Sequence, residues 1–173
     1  MNLAKRLFHV WRGAFCWDNP YELLLDYHLL RRRDPIRLQK DGAQLVVDYK
    51  SSDMNAAQDV LIEGMYDQAL NATVSKIKTG DCLRYLKLGA NIGAFDVRAW
   101  QFAKNNGLDI AGAALEMNTA TFARLVMNLE INKLLHILPI NAALLAEDGQ
   151  MRCELAARDT GQSAVGLHTL PQT

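Results

Sequence analysis

Leu83-Arg84-Tyr85-Leu86-Lys87-Leu88-Gly89-Ala90-Asn91-Ile92-Gly93, with Glu116 further along, decides the fold of this 173-residue chain. The stretch reads as a strand, a glycine turn and the start of a helix, followed by a second strand that ends on a carboxylate. Such a unit suits an adenosine-containing ligand. Glycines let backbone approach closely, a helix expected to open at Asn91 points unpaired N–H groups at the ligand, and a strand-end carboxylate accepts both ribose hydroxyls. Without the glycines, Glu116 would read as an ordinary solvated acid.

Working outward, Thr79-Gly80-Asp81 is the turn that introduces the first strand. After the glycines, Ile92, Phe95, Ala99 and Phe102 recur at helical spacing, and Asn106-Gly107 ends that helix. Ile110 to Leu115 is short, uncharged and rich in Ala and Gly, which predicts a strand buried on both faces. Asn118 or Thr119 caps a helix with an inward stripe of Phe122, Leu125, Val126 and Leu129, ended by Asn132. Ile137 to Leu145 is the next strand, with Pro139 near its start or at an edge, and Glu147-Asp148-Gly149 turns towards a return strand over Met151 to Leu155. The order predicts an α/β fold with a parallel sheet and flanking helices.

Upstream, residues 1–40 form a separate helical extension and 41–173 the main domain. The first helix carries Leu3, Leu7, Phe8 and Trp11 on one side, to pack on the domain or to meet a partner or membrane surface. Asn19 as N-cap and Pro20 at the first helical position start a second helix running to about Arg33, and Asp34-Pro35 stops it. Its Arg31-Arg32-Arg33 run suits a solvated helix C-terminus. Asp41-Gly42 introduces a strand over Gln44 to Tyr49, and Asp53 is expected to cap a helix with Ala57, Val60, Leu61 and Met65 on its apolar face.

Spacing narrows the ligand. A dinucleotide site shows G-x-G-x-x-G, whereas here Gly89 and Gly93 flank three other residues and no third glycine follows to cradle a pyrophosphate. A nucleoside without phosphates fits better, and a nucleotide-binding oxidoreductase is disfavoured.

Several short motifs in order carry a resemblance: Leu86 to Gly93, Ala114-Leu115-Glu116-Met117-Asn118, the Thr121 to Asn128 helix with Asn132, Ile140-Asn141-Ala142-Ala143-Leu144, and the upstream Gln58 to Asp67. Together, over about residues 41 to 170, the chain resembles the FkbM-type S-adenosylmethionine-dependent methyltransferases. The resemblance implies a Rossmann-like class I methyltransferase fold, S-adenosylmethionine as cofactor, and methyl transfer to a hydroxyl of a sugar or other small metabolite. It also implies that Gly89, Ala90, Asn91 and Gly93 line the methionine end of the cofactor and that Glu116 holds the ribose. Asn118 would then stand beside the ribose, and Asn141 and Ala142 would border the adenine. Lys87 stands where the family has an acid, and Met117 where it often has proline. The family's fourth core strand, with its acidic motif, has no counterpart before Thr173, so an incomplete sheet is expected, its edge covered by a homodimer, a partner chain or the rest of a longer product. A non-catalytic remnant or interaction module that retains the fold is the alternative reading.

Bulk properties set the limits. Nineteen basic and 19 acidic residues give no net charge, so no overall field draws in nucleic acid or anionic membrane. Cys16, Cys82 and Cys153 are far apart and form no zinc or disulfide pattern. No segment reads as a signal peptide or membrane span, which predicts a cytoplasmic protein. His9, His28, His136 and His168 are scattered; His136, at a strand entrance, is the least improbable general base, and no catalytic residue is assigned.

Overall fold

The computed structural model describes residues 13–25, 35–48 and 51–143. The expected first helix, the Arg31-Arg32-Arg33 run, the turn at Glu147 and the return strand over Met151 to Leu155 lie outside them, as do His9, His28, His168 and Cys153.

Two sheets organise the described residues. The smaller is a hairpin of β1 (Ile36–Lys40) and β2 (Ala43–Val47), paired antiparallel from Ile36↔Val47 to Lys40↔Ala43. Its turn is Asp41-Gly42, with φ of 49° and 77°, the left-handed pair that a two-residue hairpin turn requires. The larger sheet is parallel, in the order β3 (Cys82–Leu88), β4 (Asp109–Leu115), β5 (Ile137–Ile140). Helix α4 (Ala94–Asn105) connects β3 to β4, and α5 (Thr119–Ile131) connects β4 to β5. Before them come α1 (Pro20–Leu23), α2 (Asp53–Leu61) and α3 (Asp67–Val74). This is the α/β arrangement expected, a Rossmann-like parallel sheet with crossover helices.

Register explains the composition of β4. Leu83, Tyr85 and Lys87 of β3 share a sheet face with Ile110, Gly112 and Ala114 of β4 and with Ile137 and Pro139 of β5. Gly112 lies under Tyr85: a Cβ there would meet the Tyr85 carbonyl at 2.8 Å and its ring at 3.1 Å. Tyr85 and Tyr66 each meet Phe95 edge-to-face, at 5.3 and 5.0 Å between ring centroids. Leu125, Leu129, Leu134, Ile137 and Ala114 complete the core on this side, each large side chain contributing roughly 1.5–3 kcal/mol by its burial.

The opposite face corrects one expectation. β4 is not buried on both faces: Ala111, Ala113 and Leu115 are only partly covered, and their neighbours Leu86, Leu88 and Leu138 are 63%, 46% and 62% exposed. Both crossover helices serve the Tyr85 face, and among the described residues none covers the other.

Asparagine side chains seal the hairpin. Asn128 accepts from the Val46 N–H at 2.6 Å and donates to Val46 O at 3.1 Å, while Asn132, one turn on, accepts from the Gln44 N–H at 2.9 Å and donates to Gln44 O at 2.6 Å. Alternate residues of a strand direct their backbone groups to the same edge, so two amides at i and i+4 on α5 act as a substitute strand for β2. On the other edge, Asn19 accepts from Gln39 N–H at 3.0 Å and donates to Arg37 O at 2.8 Å. Asn19 does occupy the N-cap position before Pro20, but its side chain makes no cap bond to the helix backbone; besides β1 it donates to the Glu22 carboxylate at 3.0 Å.

Other boundaries differ from expectation. Lys40 is the last residue of β1, and Trp17 and Leu23 share a core with Leu38, Leu45 and Val47. Helix α1 starts at Pro20 as expected, and the stretch over residues 26–34, where it is expected to continue to Arg33, lies outside the described residues. Asp53 is the first residue of α2 rather than its cap; its buried carboxylate accepts from the Asp48 N–H and pairs with Arg124 at 2.5 Å, pinning this end of the hairpin to α5. Helix α2 ends at Leu61, before Gly64 turns at φ 67°, which leaves Met65 61% exposed. β5 ends at Ile140 rather than Leu145, and among the described residues it is an edge strand, where the N–H missing at Pro139 breaks no ladder.

Candidate functional site

The C-terminal ends of β3 and β4 carry the site. Gly89 has φ 67°, Asn91 φ 53° and Gly93 φ 84°, so three left-handed residues in five fold the chain back sharply between β3 and α4. A Cβ on Gly89 would meet nothing within 4 Å, which leaves the outer side of the turn open to a ligand. A Cβ on Gly93 would meet Leu125 Cδ1 at 2.8 Å, so that glycine serves close packing against α5. The helix does not open at Asn91. It begins at Ala94 with Gly93 as N-cap, because the intervening N–H groups already have partners: Asn91 N–H donates to Glu116, Ile92 N–H to Asn91 Oδ1, and Gly93 N–H to Ala90 O.

Glu116 joins the two loops. One carboxylate oxygen accepts from the Asn91 N–H at 2.9 Å and the other from the Asn118 N–H at 2.8 Å. Each oxygen keeps a second lone pair, and Glu116 is only partly buried, so a diol can still bond to it. Ala90 is buried and donates its N–H to Leu115 O at 2.7 Å, which ties the turn to the end of β4. Asn128 donates to Ile92 O at 2.8 Å, which links the turn to the hairpin through one amide.

Asn118 and Asn141 hold backbone in place. The Asn118 side chain caps α5, accepting from the Ala120 and Thr121 N–H groups, and is 2% exposed; its amide nitrogen has no protein partner among the described residues. Asn141 donates to Glu116 O at 2.7 Å and to Met117 O at 3.3 Å, bringing the end of β5 beside Glu116, and Ala142 follows in a turn on Ile140. All eight site residues therefore gather at one end of the parallel sheet. His136 does not. It precedes β5, with its carbonyl accepting from Gly112 N–H, about four residues or ~13 Å along the strands from Glu116.

Beneath the turn lies a polar cluster that pattern reading missed. Tyr85 donates its hydroxyl to Asp96 Oδ1 at 2.7 Å, and Asp96 Oδ2 is buried with no hydrogen-bonding side-chain partner among the described residues, 3.7 Å from where a Gly93 Cβ would be. Burial raises the Asp96 pKa to about 6, against the lowering effects of the Tyr85 bond and of Lys87. Burial, then the Asp96 charge, push the Tyr85 hydroxyl far above its ordinary range, so it remains a donor. Lys87 bonds to Tyr66 Oη at 3.1 Å, with its ammonium 4.7 and 5.2 Å from the centroids of the Tyr66 and Phe95 rings. Arg98 forks onto Asp67 at 2.8 and 2.5 Å, fixing α3 against α4, and that bond holds its pKa above the usual value. The register that places Tyr85 and Lys87 on one face was readable; the partners on α3 and α4 depended on tertiary packing.

Comparison with known proteins gives only distant likeness. No protein-family model matches the chain, and no curated protein matches it. Among solved structures, the M. jannaschii tRNA m1G37 methyltransferase is 18% identical over 73% of this chain and 41% of its own, with a TM-score of 0.41. TYW2 of P. horikoshii, solved in complex with MeSAdo, is 15% identical over 67% and 39%, also with a TM-score of 0.41. Trm5b of Pyrococcus abyssi is 15% identical over 64% and 29%, with a TM-score of 0.38. The chain spans less than half the length of each of these. Overlap so partial transfers no activity, and the functional reading rests on this chain's own residues.

Proposed function

We propose that this chain carries the cofactor site of an S-adenosylmethionine-dependent methyltransferase acting on a hydroxyl oxygen of a small metabolite or sugar. The observation that carries the reading is Glu116. Its carboxylate is oriented by N–H groups from both loops, beside a glycine turn whose outer side is open at Gly89. In this reading Glu116 holds the ribose diol with Asn118 beside it, Gly89, Ala90, Asn91 and Gly93 line the amino-acid end, and Asn141 and Ala142 border the adenine.

The bound cofactor would supply a methyl group activated by a sulfonium. The chain's residues fix its position, and positioning supplies much of the rate of such a transfer. The balanced net charge of the chain supports a small acceptor over a nucleic acid. The alternative, a non-catalytic module that keeps the fold, draws support from the Lys87 cation next to the turn and from the distance of His136 from it.

Calorimetric titration with S-adenosylmethionine and S-adenosylhomocysteine separates the two: saturable heat is expected, and no heat at millimolar ligand would sink the enzyme reading. Incubation with methyl-labelled donor then tests the acceptor. Label is expected in the small-molecule fraction, and label in RNA instead would overturn the acceptor class.

A further inference from the structure

Asp96 is a fully buried acid in the first turn of α4, three residues after Gly93, and takes no part in the proposed adenosyl site. Its carboxylate is held from β3, where the Tyr85 hydroxyl donates to Oδ1 at 2.7 Å. Oδ2 has no hydrogen-bonding side-chain partner among the described residues and lies 3.7 Å from the place a Gly93 Cβ would occupy. The acid therefore bridges the two pieces of chain that the glycine turn joins, the body of β3 before it and the first turn of α4 after it. Tyr85 is a firm anchor for that bridge, because its ring meets Phe95 edge-to-face at 5.3 Å and lies over Gly112.

The proton on Asp96 decides how strong the bridge is. As a carboxylate, Asp96 accepts a charge-assisted bond from Tyr85, and its negative charge suits the N-terminal turn of α4. As an acid, it accepts a weaker neutral bond and carries an O–H donor at Oδ2 with no side-chain acceptor beside it, which only a shift of the adjoining backbone can satisfy. Burial, which favours the acid, brings the change to about pH 6. Tyr85 stays a donor throughout, its own pKa being pushed far above the ordinary range. Lys87 of β3 is the neighbouring charge that acts on Asp96, favouring the carboxylate. Around it, Asp67 of α3 is paired with Arg98, Arg124 of α5 with Asp53, and Lys40 of the hairpin with Asp18 and Asp41. β4 turns the uncharged Ile110, Gly112 and Ala114 to this face.

We propose that the Tyr85–Asp96 bond is a proton-controlled latch on the glycine turn, holding the turn in its ligand-binding shape when Asp96 is a carboxylate and releasing it when Asp96 is protonated. Its control over ligand binding rests on the adenosyl reading of the turn; the loosening of the turn does not. The sign is opposite to that of stability. The folded chain loses stability as pH rises through the folded pKa of Asp96, whereas the site gains affinity over the same range. A residue that only supported the fold would move both in the same direction.

Amide hydrogen exchange, corrected for its intrinsic pH dependence, and titration with S-adenosylhomocysteine provide the test, on the wild-type chain, Asp96→Asn and Tyr85→Phe at about pH 5 and about pH 7. Asp96→Asn fixes the neutral state at every pH. Tyr85→Phe removes the donor but keeps the ring against Phe95, so it stays informative if the first variant fails to fold. In the wild type the turn amides of Ala90 and Gly93, bonded to Leu115 O and Ala90 O, should lose protection at the lower pH, while Gly112 within the sheet keeps it. Both variants should show the low protection at both pH values. S-adenosylhomocysteine should bind the wild type about tenfold more weakly at the lower pH, where about a tenth of Asp96 is ionised, and should bind both variants weakly at either. Equal protection of the wild-type turn at the two pH values, or a loss that both variants retain, would overturn the latch. Unchanged affinity while protection falls would overturn its control of the site and leave the adenosyl reading standing. No binding at either pH would remove the adenosyl reading and the control with it, the exchange result still deciding the latch.

Discussion

At the residue scale, Asp96 and Gly93 show how closely chemistry and packing share the turn. Asp96 titrates near 6 in the folded state against an ordinary 3.8, so the folded chain binds that proton more tightly than the unfolded one. Its contribution to stability is greatest below about pH 4 and is lost as pH rises through 6, by on the order of 2–3 kcal/mol. Asp96→Asn removes the buried charge and can still accept from Tyr85. The variant should gain about 1 kcal/mol over wild type at pH 7.5 and lose that advantage at pH 4.5, read by denaturant midpoints at the two values. Gly93→Ala faces a φ of 84° and a 2.8 Å contact with Leu125, and should lose roughly 2 kcal/mol or more in the same assay. Gly89→Ala has only the φ penalty, about 1–2 kcal/mol, because nothing lies near its Cβ. Of these residues, the glycines and Glu116 were legible in the sequence because short-range backbone geometry and strand ends have a local signature. Asp96 was not, since Tyr85 reaches it only once β3 and α4 are packed.

At the element scale, the asparagine pair on α5 unites three parts of the chain. Asn128 is fully buried and bonds Val46 on both its backbone groups and Ile92 in the glycine turn. Asn128→Ala leaves three backbone groups unpaired and should cost about 3 kcal/mol or more, while Asn132→Ala, at a partly exposed position, should cost about 1–2. A double-mutant cycle should show coupling of at least about 0.5 kcal/mol, because Asn132 also donates to Asn128 O. Additive effects would mean that the two amides do not act as one substitute strand. The helix itself and its Asn118 cap were readable from periodicity. The asparagines' true work was hidden because an amide on a helix face looks solvated until a strand edge is placed beside it. β1 was also missed, although Ile36-Arg37-Leu38 alternates and the Asp41-Gly42 turn was recognised: a two-residue turn demands a strand on each side.

At the scale of the whole molecule, the parallel sheet has, among the described residues, one packed face and one open face. Leu83 on the packed side is 3% exposed and Leu86 on the other is 63% exposed, three positions apart on the same strand. Leu86→Glu and Leu138→Glu should each change stability by less than about 0.5 kcal/mol, whereas Leu83→Ala should cost about 2–5, measured by urea unfolding. Periodicity could not reveal this, since Ala-rich β4 reads alike whether one face is covered or two. No helix among the described residues is long and apolar enough to cross a membrane. The adenosyl site at the C-terminal edge of this sheet is the central claim, and amide chemical-shift mapping on addition of S-adenosylhomocysteine tests it most directly. Saturable shifts should centre on Gly89 to Gly93, Glu116, Asn118, Asn141 and Ala142. Shifts confined to other parts of the chain, or none at millimolar ligand, would contradict it.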